Sequence, residues 1–340
     1  MSKIGIGIIG TGSIVHTYAK CISELSNVDL VALYTKSSSR TAEVEDEFGV
    51  PVYSNMDDFL ASEEMDLICV CNESGRHGEA IKASAMAGKH VLCEKPLEVT
   101  TEKIDEVIEV CKKQNIKLGC VFQNRCSQDY RIVEEAVKSG KLGKLLMGNA
   151  QINWYRSDEY YAKSDWRGTL EFDGGAAFMN QGIHTIDLLI NSMGDVQSVF
   201  GDVNTMVHEI EGEDVGAGLL KFENGAIGTI TGGTALWPGY PERLEIYGEK
   251  GSIIMEGGKI VQWNIQGTTS PQIGSLDTDG SGAADPTAIG HQNHKVVLSD
   301  MVEAIRLDRS PMVDGAGARK SVAVINAIYE SSKTKKMVHL

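Results

Sequence analysis

Short apolar runs alternate with amphipathic segments over the first third of the chain, and this alternation constrains the fold more than any other feature. Nearly continuous apolarity is typical of parallel strands that are covered on both faces of a sheet. The runs are Ile4–Gly10, Val28–Tyr34, Asp66–Asn72, Lys89–Lys95 and Lys117–Gln123, with helices expected over Gly78–Gly88 and Thr101–Gln114. This alternation predicts an α/β fold with a doubly wound parallel sheet.

The rhythm changes after residue 123, where longer strand-like runs are broken by glycine-containing turns such as "ENGA" and "GEKGS". Such turns join antiparallel strands, so a second, mostly antiparallel open sheet is expected. The chain therefore divides into a first domain, residues 1–123, and a second α/β domain, residues 124–340. The expected strand runs of the second domain are Met147–Tyr155, Val215–Gly233 and Glu242–Trp263. Its expected helices are Tyr130–Gly140, Met179–Gly194, Asn293–Arg309 and Gly317–Lys333, and a long loop is expected over residues 267–290.

Composition excludes several classes of function. The chain has 32 basic and 47 acidic residues, a net charge of −15, which disfavours binding to nucleic acid or to an anionic membrane surface. It shows no signal segment and no apolar run of the roughly 18 residues that a membrane span needs. The seven cysteines form no C-x-x-C pair, so we expect a reducing, cytoplasmic location and no disulfides.

A glycine turn, Gly10-Thr11-Gly12, follows the first strand and precedes a helix that begins near Ser13 and Ile14. Glycine permits the tight turn and the close backbone approach that a pyrophosphate at a helix N-terminus requires. Val15 occupies the third position of G-x-G-x-x-G, so the fingerprint is incomplete. A turn selected only for packing is the alternative, but the flanking strand and helix favour dinucleotide binding.

The second strand ends without an acidic residue. Thr35, Lys36 and Arg40 stand there instead, with three serines between the two basic residues. An acidic residue would bind the ribose 2′-hydroxyl of NAD, whereas hydroxyls and cations suit a 2′-phosphate. NADP(H) is therefore favoured and NAD(H) remains possible. Alternatively, the serines simply begin a helix.

The stretch "VLCEKP" places Lys95 at the carboxyl end of a buried strand, on the sheet edge expected to carry the glycine turn. Pro96 cannot extend the ladder, so the strand must end there. A lysine at this edge can donate to a reacting oxygen or transfer a proton. The alternative is an ordinary solvated lysine.

A second polar group lies in "FMNQGIHTIDLL", where Asn180, His184 and Asp187 share one face of an expected helix. Histidine exchanges protons near neutral pH, and Asp187 or Asn180 would orient its ring. The alternative is a core histidine satisfied by Asp187. No metal site is expected, because His291 and His294 lack companion ligands.

Five further polar or amphipathic residues lie near the start of the second domain or in a loop that follows its first strand. Each of them either faces a sugar-like ligand or belongs to ordinary surface packing. They are Asn124, Arg125, Tyr155, Trp166 and Arg167.

Taken together, the motifs resemble the Gfo/Idh/MocA oxidoreductases, a family named for glucose–fructose oxidoreductase and inositol dehydrogenase. The resemblance rests on "GIIGTGSIVHTYAKCI", "AGKHVLCEKP", "GCVFQNR", "WRGT" followed by "GGAAFMNQGIHTIDLL", and the closing "VEAIRLDRSP" and "INAIYESS". These motifs occur in family order over essentially the whole chain.

The resemblance implies a Rossmann domain followed by an α/β domain whose open sheet forms a homodimer or homotetramer. It also implies reversible oxidation of a secondary hydroxyl on a sugar, cyclitol or related polyol, with Lys95 and His184 at the reacting oxygen. Lys95, Asn124, Arg125, Tyr155, Asn180 and His184 are then expected to bind substrate. Beyond the glycine turn and the end of the second strand, the expected cofactor contacts are Asn72, Glu73, Ser74, His77, Glu94, Lys95, Gln123, Trp166 and Arg167.

One departure from the family concerns Asn180, where many members carry aspartate. A neutral amide cannot accept a proton or stabilise an imidazolium, so electrostatic help for His184 must come from elsewhere, with Asp187 as one candidate. Whether Lys95 or His184 transfers the proton is left open. Two other functions are compatible with the sequence: a glycosidase that uses tightly held NAD for oxidation and elimination, and a non-catalytic dinucleotide sensor.

Overall fold

The structure is a computed structural model that describes residues 3–271 and 290–340. It forms two compact units, one of residues 1–123 with 291–319 and the other of residues 124–290 with 320–340. Residues 291–319 thus group with the first sheet, whereas the sequence division at residue 123 assigned them to the second domain. Of the loop expected over residues 267–290, the part from 272 to 289 lies outside the described residues.

The first unit contains a six-stranded sheet in the order β3-β2-β1-β4-β5-β6, and all its neighbouring pairs are parallel. The doubly wound parallel sheet is confirmed, with one short strand, β3, that the sequence pattern missed. Strand order reverses between β1 and β4, and this switch point is where such sheets bind ligands. The strands are β1 Ile4–Ile9, β2 Val28–Tyr34, β3 Val52–Tyr53, β4 Leu67–Val70, β5 His90–Cys93 and β6 Leu118–Cys120.

The helices of this unit begin and end at residues suited to those positions. The Thr100 side chain accepts a hydrogen bond from the Lys103 amide at the start of α5. At the start of α3, the Asn55 side chain accepts from the Asp57 and Asp58 amides. Gly88, expected to stop a helix, follows the end of α4 with φ +76°. The helices are α1 Ile14–Ser23, α2 Thr41–Phe48, α3 Met56–Leu60, α4 His77–Met86, α5 Thr101–Lys113 and, from the returning chain, α9 Gln292–Arg306.

The second unit contains an eight-stranded sheet in the order β13-β12-β11-β7-β10-β9-β8-β14. Only β7 and β10 pair in parallel, so the expected mostly antiparallel sheet is confirmed. The strands are β7 Leu145–Asn153, β8 Val196–Asn204, β9 Val215–Phe222, β10 Ile227–Gly233, β11 Arg243–Gly248, β12 Gly251–Glu256, β13 Lys259–Ile265 and β14 Val338–His339.

The remaining helices are α6 Gln128–Lys138, α7 Asp158–Ala162, α8 Ile183–Met193 and α10 Gly315–Thr334. Helix α8 packs against β7 and is almost entirely buried. A π-helical turn, Ala177–Gly182, runs directly into it, so the helix expected over Met179–Gly194 is not α-helical throughout. No helix among the described residues is long and apolar enough to cross a membrane.

Candidate functional site

The glycine turn lies at the carboxyl end of β1, at the switch point of the parallel sheet. Gly10 has φ +109°, and a Cβ there would lie 2.6 Å from the carbonyl oxygen of Cys71. The position therefore requires glycine on two counts, backbone conformation and space. Helix α1 begins at Ile14 directly after Ser13, and Val15 is buried in the core. Packing in the core therefore explains why valine, rather than glycine, occupies the third position of G-x-G-x-x-G.

The surroundings of the turn fit a dinucleotide pyrophosphate. A Cβ added at Gly12 would meet no atom within 4 Å, so the backbone there is open to a close-lying group. Asn72, at the end of the neighbouring strand β4, has a buried Oδ1 without a hydrogen-bond partner among the described residues. Open backbone at a helix N-terminus is what a phosphate site requires, and an unsatisfied amide oxygen beside it suits a ligand hydroxyl.

At the end of β2, the hydroxyl of Thr35 accepts hydrogen bonds from Thr11 Oγ1 at 3.3 Å and from the Ser37 amide at 3.4 Å. This contact connects the glycine turn to the loop that follows β2. Lys36 and Arg40 are exposed, and Arg40 lies 3.9 Å from the Glu43 carboxylate on its own helix. A surface pair at that distance leaves the guanidinium available to another anion.

Glu94 and Lys95 follow β5, next to β4 in the sheet. The Glu94 carboxylate accepts a hydrogen bond from Tyr18 at 3.0 Å and lies 3.7 Å from His294 Nε2. Burial, and then the charge of Glu94, raise the pKa of Tyr18 well above its usual value, so the phenol remains a donor. The sequence analysis singled out neither Tyr18 nor His294 as a partner of Glu94. Tyr18 lies within the quoted "GIIGTGSIVHTYAKCI" but outside the glycine fingerprint, and His294, weighed there only as a metal ligand, comes from the returning chain.

Four predicted cofactor contacts follow β4: Asn72, Glu73, Ser74 and His77. Ser74 begins a short 3₁₀ turn, Ser74–Arg76, and Glu73 lies just before it. His77 follows the turn and is only 1% exposed. Its Nδ1 lies 2.7 Å from the carbonyl oxygen of Pro96, and its Nε2 lies 3.0 Å from that of Asn72. The ring is thus buried between the ends of β4 and β5. Gln123, after β6, is also buried.

In the second unit, Asn180 lies in the π-helical turn and His184 in the first turn of α8. The Gln181 amide bonds to the Ala176 carbonyl at 3.2 Å, five residues back, so the α-helical spacing assumed for Asn180 and His184 does not apply. Asn180 Nδ2 donates to Asp173 at 2.5 Å, and this buried carboxylate also accepts from the Gly168 amide. The sequence analysis missed Asp173, which lies seven residues before Asn180.

Asp187, expected to orient the His184 ring, is hydrogen-bonded to Arg125. Arg125 donates to both carboxylate oxygens, at 2.7 and 2.6 Å, and Ser321 adds a third hydrogen bond at 2.9 Å. Burial raises the pKa of Asp187, and the bonds from Arg125 oppose that shift. The guanidinium predicted to bind substrate is therefore engaged in a buried ion pair. Asn124, beside it, is half-buried.

Aromatic and cationic side chains surround Tyr160. The guanidinium of Arg156 donates twice to Gln181 Oε1, at 3.0 and 2.7 Å, and the Gln181 amide donates to the Tyr160 hydroxyl. The guanidinium carbon of Arg167 lies 4.5 Å from the Tyr160 ring centroid and 5.7 Å from that of Trp166. The predicted residues Trp166 and Arg167 are thereby connected to the turn that carries Asn180.

Tyr155, predicted to bind substrate, lies just beyond the end of β7. Its ring contacts the exposed ring of Trp237 edge-on, with centroids 5.0 Å apart. Within residues 3–271 and 290–340, no three His, Cys, Asp or Glu side chains group as metal ligands would.

The fold and the glycine turn define a dinucleotide-binding α/β protein, and family models narrow this class. Residues 4–122 match the oxidoreductase family with an NAD-binding Rossmann fold, and residues 130–254 match the GFO/IDH/MocA C-terminal domain. The myo-inositol 2-dehydrogenase of Thermotoga maritima is 30% identical over 74% of this chain and 75% of its own length. The chain belongs to the Gfo/Idh/MocA family of NAD-binding oxidoreductases.

Two further relatives match nearly the whole chain. The scyllo-inositol 2-dehydrogenase (NADP(+)) IolW of Bacillus subtilis is 25% identical over 100% of this chain and 97% of its own. The structure of the WlbA dehydrogenase from Bordetella pertussis, in complex with NADH and UDP-GlcNAcA, matches with a TM-score of 0.89 and 29% identity. That match covers 99% of each chain.

The ion pair of Arg125 with Asp187 gives a stability prediction. Arg125→Met leaves a buried carboxylate without its partner, so the free energy of unfolding should fall by about 3–5 kcal/mol. Arg319→Met is the matched control, because Arg319 makes the same bidentate contact with Asp105 at the surface. An exposed pair contributes about 1 kcal/mol or less. Denaturant unfolding of both variants measures the difference, and equal losses would contradict the structural role of Arg125.

Proposed function

We propose that the chain is an NAD(P)-dependent dehydrogenase that transfers a hydride between nicotinamide and a secondary hydroxyl or ketone of a sugar, cyclitol or related polyol. The observation that carries the proposal is the strand order β1-β4-β5. It brings the glycine turn, Asn72 and Lys95 to one sheet edge. The names of the relatives support the substrate class, since two are inositol dehydrogenases and one was solved with NADH and a nucleotide sugar.

The proposed roles follow from the donor and acceptor chemistry of the side chains. Lys95 donates to the reacting oxygen and transfers its proton, and His184 acts at the same oxygen. The glycine turn and Asn72 bind the cofactor, whose nicotinamide supplies or takes the hydride when bound. Asn180 positions a substrate hydroxyl, with its own amide oriented by Asp173. The seven cysteines, all among the described residues, are buried and form no disulfide, which supports a reducing cytoplasmic location.

The proposal is tested by mixing the purified protein with NAD⁺ or NADP⁺ and a panel of polyols, and following absorbance of the reduced cofactor. Turnover of a cyclitol or sugar is the expected result. Cofactor that co-purifies with the protein, together with glycoside cleavage and no net reduced cofactor, would identify the glycosidase mechanism instead. Absence of both activities over the panel would favour the sensor.

Lys95→Met should lower kcat/KM by about 10²–10⁴, the usual contribution of a general acid–base group. Lys89→Met is the matched control. Lys89 precedes β5 at the opposite end of the same strand, and its ammonium donates to the Ser62 carbonyl at 2.8 Å. Steady-state kinetics with the active polyol measure the effect. Near-native turnover of Lys95→Met would remove this lysine from the mechanism.

We also propose that NADP(H) is preferred over NAD(H), because exposed Lys36 and Arg40 follow β2 and no acidic residue stands at its end. Replacing both with alanine should lower the ratio of kcat/KM for NADP⁺ to that for NAD⁺ about tenfold or more, since charge-assisted hydrogen bonds are lost. Lys20→Ala, an exposed lysine on α1, is the control. A native preference for NAD⁺, or an unchanged ratio, would contradict the proposal.

The outward face of the eight-stranded sheet supports a homodimer or homotetramer. Exposed Phe200 pairs with Leu219 across β8 and β9, and exposed Ile227 pairs with Met147 across β10 and β7. Apolar pairs on an open face favour association with an identical surface.

Leu219→Lys should convert the oligomer to a monomer, because it places a charge among these apolar pairs. Leu307→Lys is the control, since Leu307 is 68% exposed and follows α9 in the first unit. Light scattering of the native chain and both variants measures the mass. A native monomer, or an oligomer that survives Leu219→Lys unchanged, would argue against this interface.

A further inference from the structure

We propose that His77 is the positioning residue for Lys95: its Nδ1–H donates to the Pro96 carbonyl and fixes the turn that carries the lysine. The inference rests on the proposed role of Lys95 in proton transfer. His77 itself does not touch the reacting atoms, because its ring is 1% exposed and lies between two backbone carbonyls.

The backbone around Lys95 needs such an anchor because the sheet ladder ends there. The Glu94 amide still bonds to the Val70 carbonyl at 2.9 Å, as a strand residue would. Pro96 has no amide hydrogen and cannot donate to β4. Its carbonyl oxygen, held 2.7 Å from His77 Nδ1, is a fixed point directly after Lys95. Lys95 therefore lies between two anchored residues.

The chemistry of the ring identifies which nitrogen carries the hydrogen. Both partners are carbonyl oxygens, which only accept, and a neutral imidazole has a single N–H. Burial lowers the pKa of His77, while its contacts with the Pro96 and Asn72 carbonyls oppose that shift. We assign this hydrogen to Nδ1, because its contact with the Pro96 carbonyl, at 2.7 Å, is the shorter of the two.

A second contact, made by Glu98, holds the segment after Lys95 to the start of α4. The buried Glu98 carboxylate accepts from the Gly78 amide at 3.2 Å and from its neighbour Val99 at 2.7 Å. Residues 96–99 are thus held to the start of α4 at two points. Because the Glu98 contacts remain when the His77 ring is replaced, loss of the ring should shift Lys95 without releasing the whole segment.

Two substitutions of similar volume separate positioning from bulk packing. His77→Leu removes every donor, whereas His77→Gln keeps an amide N–H that can reach one carbonyl. With the polyol identified for the native enzyme, His77→Leu should lower kcat about 10²-fold, the cost of a misplacement of about 1 Å. The cofactor dissociation constant should change by less than about threefold, because the glycine turn is untouched and the ring contacts the backbone carbonyl of Asn72 rather than its side-chain oxygen. His77→Gln should recover about tenfold in kcat.

His90→Gln is the matched control. His90 is a half-buried histidine in the first unit, but it begins β5 and accepts from the Lys117 amide at the opposite sheet edge. Its kcat should remain native. Native kcat in His77→Leu, a parallel loss of cofactor affinity, or an equal loss in His90→Gln would overturn the inference.

A measurement on the native protein needs no substrate, and a variant serves only to assign the signal. In protein labelled with ¹⁵N-histidine, His77 should show a protonated Nδ1 and slow exchange of that hydrogen, with the signal assigned by its loss in His77→Gln. A hydrogen on Nε2 alone would overturn the inference even if the enzyme is active. If no polyol is turned over, the proposed function fails while this measurement still decides whether His77 holds Pro96.

Discussion

Parallel strands β1, β4 and β5 are neighbours and end at one edge of the sheet, and the first unit's site depends on this constraint. Hydrogen bonding fixes the strand order, and the order fixes which residues meet. The glycine turn, Asn72 and the Glu94–Pro96 turn are distant in sequence, but each follows one of these strands directly. Covered parallel strands need apolar residues on both faces, so chemistry is confined to the strand ends.

Buried polar contacts then determine how the side chains at those ends are held. Tyr18 from α1 and His294 from the returning chain both approach the Glu94 carboxylate, and His77 holds Pro96. Each group is nearly excluded from water, where an unsatisfied donor or acceptor costs about 1–3 kcal/mol. The turn around Lys95 is therefore fixed on both sides of the lysine. This explains why residues 291–319 belong to the first unit: α9 supplies part of this packing.

The sequence pattern predicted the parallel sheet and the mostly antiparallel one, because hydrophobic periodicity and turn residues are local signals. It missed β3 and β14, since each has only two residues and no period can be read from so few. It also missed the longer strand β8, Val196–Asn204. Pairings across long separations were also invisible. Arg125 with Asp187 and Tyr18 with Glu94 lie 62 and 76 residues apart, and no spacing rule connects them. The shared face assumed for Asn180 and His184 required an α-helix, and the π-helical turn changes that spacing.

The contact between Asn180 and Asp173 changes what the neutral amide can do. A carboxylate only accepts, so the amide nitrogen must face Asp173, and the amide oxygen then points to the other side of the group. The buried negative charge of Asp173 thus polarises Asn180, while the charge of Asp187 is matched by Arg125. Asp173, rather than Asp187, therefore orients the Asn180 amide. An amide cannot take a proton, so Asn180 does not replace the carboxylate that many family members carry, and our proposal assigns proton transfer to Lys95.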